Sequence, residues 1–119
     1  SGCCMSDSVS IKIRLHNQDA VALGPGKADL LDAIVQHGSI SAAGRAMGMS
    51  YKRAWDLVNT MNLSFSKPLV TTVKGGSHGG GAEVTEFGQT ILAAYRELEK
   101  KAYLSIVDDI EKMTQLLLS

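Results

Sequence analysis

Between Ser50 and Asn59 the chain sets out side chains of the kind that read nucleic-acid bases. They are Ser50, Tyr51, Lys52 and Arg53 together, then Asp56 and Asn59 one and two turns further on. Lysine or arginine can take the two acceptors of guanine in a major groove, and asparagine can pair bidentately with adenine. The hydroxyls of Ser39, Ser41 and Ser50, near the starts of expected helices, suit phosphate oxygens alongside free backbone N–H groups. Lys74 and His78 belong to a run holding Gly75, Gly76, Gly79, Gly80 and Gly81, whose reach suits a DNA backbone or a minor groove. Taken singly, each of these residues reads more simply as part of a solvated face. Their spacing, and their concentration in one third of the chain, favour DNA.

Other chemistry is poorly served. His16, His37 and His78 lie far apart, outside any HxxxH or HExxH spacing, and no GxSxG nucleophile motif occurs. A phosphate-binding P-loop needs lysine and then Ser or Thr after its last glycine, but Ala82 follows Gly81; the GxGxxG fingerprint fails at Val84. Cys3 and Cys4 are adjacent, a spacing that rarely bridges, and there are no further cysteines to complete a zinc site. Glu97, Glu99, Asp108, Asp109 and Glu111 alternate with Lys100, Lys101 and Lys112 and read as a solvated, ion-paired face. No enzyme, metal site, cofactor or small-molecule site is expected.

The size and composition fit one small globular domain. The chain has 119 residues, 45% hydrophobic and 20% charged, and its formal net charge is zero. The zero conceals an uneven distribution. From Gly38 to Ala82, Arg45, Lys52, Arg53, Lys67 and Lys74 face the single acid Asp56, a net +4, balanced by acidic flanks. For nucleic-acid partners the position of charge matters more than its sum. No apolar run reaches the roughly 18 residues of a membrane span, and the start does not resemble a signal peptide, so a cytoplasmic protein is expected.

The elements that must position these groups follow from local pattern. Val9, Ile11, Ile13 and Leu15 alternate with polar residues and predict a strand over 9–16, preceded by a disordered tail over 1–8. Gly24-Pro25-Gly26 opens a first helix through Leu30, Leu31, Ile34 and Val35, with Asp29 in its first turn and Gly38 at its end. Ser39 caps a short second helix, Gly48-Met49 breaks it, and Ser50 caps a third from Tyr51 to about Ser64. Ala54, Leu57, Val58 and Met61 form its apolar face; Lys52, Arg53, Asp56, Asn59 and Thr60 lie opposite, with Tyr51 and Trp55 between. Leu69–Val73 and Ala82–Val84 predict a hairpin with a glycine-rich tip. After Gly88 there is no Gly or Pro, and Ile91, Tyr95, Leu98, Ala102, Ile106, Ile110, Met113 and Leu117 step by threes and fours. One helix of about thirty residues is too long for a single small core, so its seam is expected to pack on a second copy.

Helix, short helix, turn, helix and strand–loop–strand is the order of a winged helix-turn-helix: mainly α, with a small β-hairpin and here a long C-terminal helix. Ala42, Ala43 and Gly44 are small where the second helix must cross the third. The expected organisation is a tail at 1–8, the winged domain at 9–87 and a dimerisation helix at 88–119.

The runs Gly38-Ser39-Ile40-Ser41-Ala42-Ala43-Gly44, Met49 to Asp56 and Asn59-Thr60-Met61-Asn62 resemble the N-terminal domain of ModE-type molybdate-responsive transcriptional regulators. The glycine-rich wing and Thr85 to Gly88-Gln89 fit the same pattern, and the likeness spans about residues 10 to 100. The resemblance implies a homodimer on palindromic operators near molybdate-transport or molybdoenzyme genes. It gives Ser50, Tyr51, Lys52, Arg53, Asp56 and Asn59 to the groove, and Lys74 and His78 to the wing. Full-length members bind the oxyanion through C-terminal β-barrel domains; this sequence ends after the long helix, so a stand-alone form without molybdate as ligand is expected. A LysR-like or other winged-helix regulator unrelated to molybdate, or a protein-interaction module of the same fold, are the alternatives.

Overall fold

A computed structural model of the chain describes residues 9–74 and 80–118. The expected tail with Cys3 and Cys4 lies outside these residues, and so does His78. The elements in order are β1 (Leu15–Asn17), β2 (Ala20–Leu23), α1 (Pro25–His37), α2 (Ile40–Ala46), α3 (Tyr51–Ser64), β3 (Val70–Val73), β4 (Gly81–Val84) and α4 (Glu86–Thr114). This is a winged helix-turn-helix with a long C-terminal helix.

The first strand departs from its expected form. Val9, Ile11 and Ile13 are half-buried and Ser10, Lys12 and Arg14 exposed, so the alternation over 9–14 is real, but the ladder covers only Leu15–Asn17. Its partner β2, absent from the sequence reading, turns back at Gln18-Asp19 and can run no further than Leu23, because Pro25 already occupies the first turn of α1. Ile13 is tied down from elsewhere: its carbonyl accepts a 2.7 Å hydrogen bond from the Tyr95 hydroxyl of α4. Burial, and next the nearby Glu99 carboxylate, push the Tyr95 phenol up, so it stays a donor.

α1 ends where expected, with Gly38 at φ 77 and its N–H donating to the Ile34 carbonyl. Asp29, however, stands past the first turn and serves a different purpose. Arg96 of α4 donates to Asp29 at 2.8 Å, to Asp32 at 2.6 Å and to Glu99 at 3.0 Å. Burial alone would lower the Arg96 pKa, but its hydrogen bonds to these three carboxylates outweigh that and hold it above the ordinary value. Glu99 is 6% exposed, so it is not the solvated residue its sequence neighbours suggested.

The core gathers Leu23, Leu30, Leu31, Ile34, Ile40, Val58, Met61, Leu69, Leu92 and Tyr95 from every layer. α4 belongs to it only at its N-terminal end, through Leu92 and Tyr95. Beyond Glu99 the helix leaves the core, with Leu104 57% and Met113 71% exposed. The radius of gyration, 16.6 Å, exceeds the roughly 13.5 Å expected for a compact chain of this length, so the helix projects rather than folding back.

α4 also starts earlier than expected, at Glu86, because Thr85 caps it: the Thr85 hydroxyl accepts from the Gly88 N–H at 2.9 Å. Gly88 therefore lies inside the first turn, pressed on the β3 approach. A β-carbon there would collide with the Leu69 carbonyl oxygen and stand 2.8 Å from Val84 Cγ1. Gly88→Ala should cost about 2 kcal/mol by overpacking, even after alanine's helix preference of about 1 kcal/mol. Gly26→Ala, where a β-carbon meets nothing within 4 Å, should be neutral or slightly stabilising. Thermal unfolding of both variants checks the contrast, and equal melting temperatures would refute this packing.

Candidate nucleic-acid interface

The side chains of α3 that face outward do so because its opposite face is fully engaged. Ala54, Leu57, Val58 and Met61 are buried. α2 crosses this helix at very short range, since a β-carbon on Gly44 would sit 3.0 Å from Ala54 Cβ and 3.5 Å from Met49 Cγ. The turn between them needs Gly48 at φ 71, and the Met49 N–H closes it on the Gly44 carbonyl at 2.9 Å. Packing and turn together fix which face of α3 is shown.

Lys52, Arg53, Asp56 and Asn59 are exposed on that face, and Tyr51 stands at its edge. Lys52 Nζ pairs with Asp56 at 2.8 Å, but both are so exposed that the pair contributes only about 0.3–0.5 kcal/mol and opens readily. Trp55 is half-buried and meets Tyr51 edge to face, with centroids 6.1 Å apart. Its Nε1 is buried with no hydrogen-bond partner among the described residues.

The serines are committed to local structure. Ser39 Oγ accepts from the Ala42 N–H at 3.0 Å and Ser50 Oγ from the Arg53 N–H at 3.1 Å, so both act as helix caps. Ser41 Oγ accepts from Arg45 at 2.9 Å. Ser41, Tyr51, Trp55, Lys74 and Gly80 line one cleft of about 280 Å³ between α2, α3 and the hairpin, which brings three of the sequence candidates together. Ser39 and Asn59 are outside that cleft. Lys67, counted among the basic residues of this region, instead lies 5.7 Å over the Phe87 ring.

The hairpin is placed by polar clamps. Asn62 Oδ1 accepts from the Leu69 and Val70 N–H groups at 2.8 and 3.1 Å, and its Nδ2 donates to the Val70 carbonyl at 2.9 Å. The Thr85 hydroxyl donates to the Pro68 carbonyl at 2.8 Å, and the Ala82 N–H donates to Gly38 O at 2.9 Å.

A profile described as bacterial regulatory helix-turn-helix protein, lysR family, matches residues 27–89, more than half of the chain. The chain belongs to this family. It is 45% identical over 87 residues to the molybdenum-pterin-binding protein MopA of Rhodobacter capsulatus, covering 73% of this chain and 33% of that protein. It is 40% identical over 101 residues to the molybdenum transport protein ModE of Azotobacter vinelandii, covering 85% and 37%. The DNA-binding transcriptional dual regulator ModE of Escherichia coli is 36% identical over 102 residues, covering 83% and 39%. The chain thus spans between about a quarter and two fifths of the length of the curated relatives it matches. Among solved structures, the full-length LysR-type regulator LysG of Corynebacterium glutamicum with bound effector Arg aligns with a TM-score of 0.53. That likeness covers 79% of this chain and 29% of LysG at 21% identity, and it bears on the fold alone.

Asn62 and Thr85 stand in the sequence only within the runs that resemble ModE-type regulators, and their role as clamps is not legible there, because a hydrogen bond spanning 7 or 17 residues has no local signature. Lys12 and Arg14 read in the sequence only as the exposed side of a strand, and Lys27 is not among the sequence candidates. Lys27 carried a signal, since a cation in the first turn of a helix opposes the helix dipole. Ser39→Ala and Ser50→Ala should each cost about 1 kcal/mol in chemical denaturation, while Ser→Asp at either position should preserve stability as a capping residue. Equal loss in the alanine and aspartate variants would show that capping is not what these hydroxyls do.

Proposed function

We propose that this chain is a DNA-binding transcriptional regulator of genes for molybdate transport or molybdoenzymes. It places α3 in a major groove, with Lys52, Arg53, Asp56 and Asn59 toward base edges and Ser50 and Tyr51 at the groove mouth. Lys74, with His78 beside it in sequence, lies along the backbone or in the minor groove; Ser39 and Ser41 face phosphates at the start of α2. The observation that carries this reading is the α3 face itself: four polar or charged residues held outward by a helix whose other side is wholly buried. Likeness to one ModE protein named for molybdenum transport and another named as a DNA-binding transcriptional dual regulator supports the molybdenum connection. The role is one of binding rather than catalysis, and the place of action is the cytoplasm. Among the described residues no helix is long and apolar enough to cross a membrane.

The active form is a homodimer joined through α4. From near its midpoint onward that helix exposes Leu98, Ile106 and Met113 on one side, and burying such side chains on a second copy is worth about 1.5–3 kcal/mol for each one fully covered. Two copies related by a twofold axis would set their α3 helices about 34 Å apart, the spacing of successive major grooves on a palindrome.

Selection of fragmented host genomic DNA on the purified chain, with and without molybdate, tests the function. Enrichment of one palindromic site near transport or molybdoenzyme genes is expected; a folded protein that enriches nothing would instead be an interaction module. On the enriched site, Lys52→Ala and Arg53→Ala should each weaken binding by about 1–3 kcal/mol. Wild-type affinity in both variants would remove this face from the interface. A chain ending at Lys101 should sediment as a monomer where the full chain is a dimer, and a persisting dimer would refute the α4 seam.

A further inference from the structure

The two shoulders of α3 are both built, and only one belongs to the wing. At about 100° per residue, Lys52, Asp56 and Asn59 fall within one narrow arc, with Tyr51 and Trp55 to one side and Arg53 to the other. The Tyr51 and Trp55 side opens on the cleft shared with Lys74. The Arg53 side opens on a second cleft, of about 420 Å³, between the N-terminal segment, the start of α1 and α3. Four bases from these three elements line it: Lys12, Arg14, Lys27 and Arg53. Its remaining lining is Gly24, Pro25, Gly26, Val21, Met49 and Leu57, with no acid. Among the described residues none of the four forms a salt bridge.

Such convergence is unfavourable in the free protein. Burial, and next the positive charges of Arg53 and Arg14, hold the Lys27 ammonium below the ordinary lysine range. The same cleft receives the N-terminus of α1, which has no side-chain cap: Gly24 precedes it and Pro25 stands in its first turn. The N–H groups of that first turn therefore have no side-chain acceptor, and a β-carbon on Gly26 would meet nothing within 4 Å, which leaves space for an oxygen. Four cations and an uncapped helix start, open to solvent on the flank of α3, match a phosphate group.

We propose that this cleft holds a DNA backbone phosphate on the strand opposite the one met by the wing. The inference rests on the reading of α3 as the groove-entering helix. A major groove about 12 Å wide is filled by a helix 10–12 Å across, so each shoulder of that helix faces one of the two phosphate strands. The wing cleft serves one strand and the Lys12, Arg14 and Lys27 side of the second cleft the other, with Arg53 on the border between that strand and the base edges. DNA would relieve a repulsion that the free protein bears, and the contact would position the helix without reading sequence.

Arg14→Gln, Lys27→Gln and the double variant separate this proposal from the function it rests on. The probe is a duplex carrying the genomic site that the wild-type chain selects, titrated across sodium chloride concentrations. The double variant should lose at least tenfold in affinity at low salt. Its salt slope should fall by about 1 for each phosphate contact removed per subunit, with site preference unchanged. Its unfolding midpoint should equal or exceed wild type, because repulsion has been removed; Lys27→Met, which keeps the aliphatic stem, serves if glutamine disturbs packing. A wild-type slope in the folded double variant would overturn the phosphate contact while leaving the α3 reading intact. A wild-type chain that binds no duplex would overturn both. Calorimetric titration of the free chain with inorganic phosphate is the second arm. Saturable binding abolished by the double variant, with the DNA slope unmoved, would assign the cleft to a free oxyanion and overturn the DNA source.

Discussion

A β-carbon at Gly44 would stand 3.0 Å from Ala54 Cβ, tight enough that Ala54 would have to give way, so α2 and α3 cross at a distance that suits glycine against alanine. Everything that makes α3 useful depends on this contact. It drives Ala54, Val58 and Met61 into the core beside Ile40, which leaves Lys52, Asp56 and Asn59 no inward alternative. The left-handed Gly48 and the two serine caps then fix where each helix begins and ends, so the orientation of the exposed face is set by packing and capping together.

The hairpin cannot hold itself in place. Its strands are four residues long and contribute only Val70 and Ala82 as buried side chains, and an isolated hairpin of that size is marginal in water. Polar contacts to the helices take over the positioning. Asn62, from the last turns of α3, satisfies three backbone groups at Leu69 and Val70; Thr85 joins the strand exit to both Leu69 and the start of α4. Ala82 reaches the Gly38 carbonyl at the corner between α1 and α2. The wing is thereby held to the ends of the elements that form the helix-turn-helix.

α4 has two different environments along one uninterrupted helix. Near its start it is anchored by Leu92, Tyr95 and the Arg96 cluster with Asp29, Asp32 and Glu99, which locks it to α1 and, through Tyr95, to the N-terminal segment. Past Glu99 its apolar residues face outward. A continuous helix of this kind links the orientation of the helix-turn-helix domain to its own exposed distal residues. The charges are also grouped: acids of α1 and α4 neutralise Arg96, while Lys12, Arg14, Lys27 and Arg53 gather in the cleft beside α3.

The helices were legible from sequence because their determinants are local. Ser39, Ser50 and Gly38 mark ends through contacts three or four residues away, and the 3.6-residue period of Ala54, Leu57, Val58 and Met61 needs no knowledge of what lies opposite. The closeness of the α2–α3 crossing was also foreshadowed by its small residues, since volume is a property of the residue itself. What required the tertiary structure was everything set by a partner distant in the chain. Residues 9–14 alternate like a strand, yet a ladder exists only where β2 supplies hydrogen bonds. Glu99 sits in a run of charges and is nevertheless buried, because Arg96 turns toward Asp29 and Asp32 more than sixty residues away. Lys12, Arg14, Lys27 and Arg53 are spread over three elements and become a single charged cleft only when those elements pack. Periodicity and capping act within a few residues, whereas ion pairing and cleft formation depend on which surfaces the folded chain brings face to face.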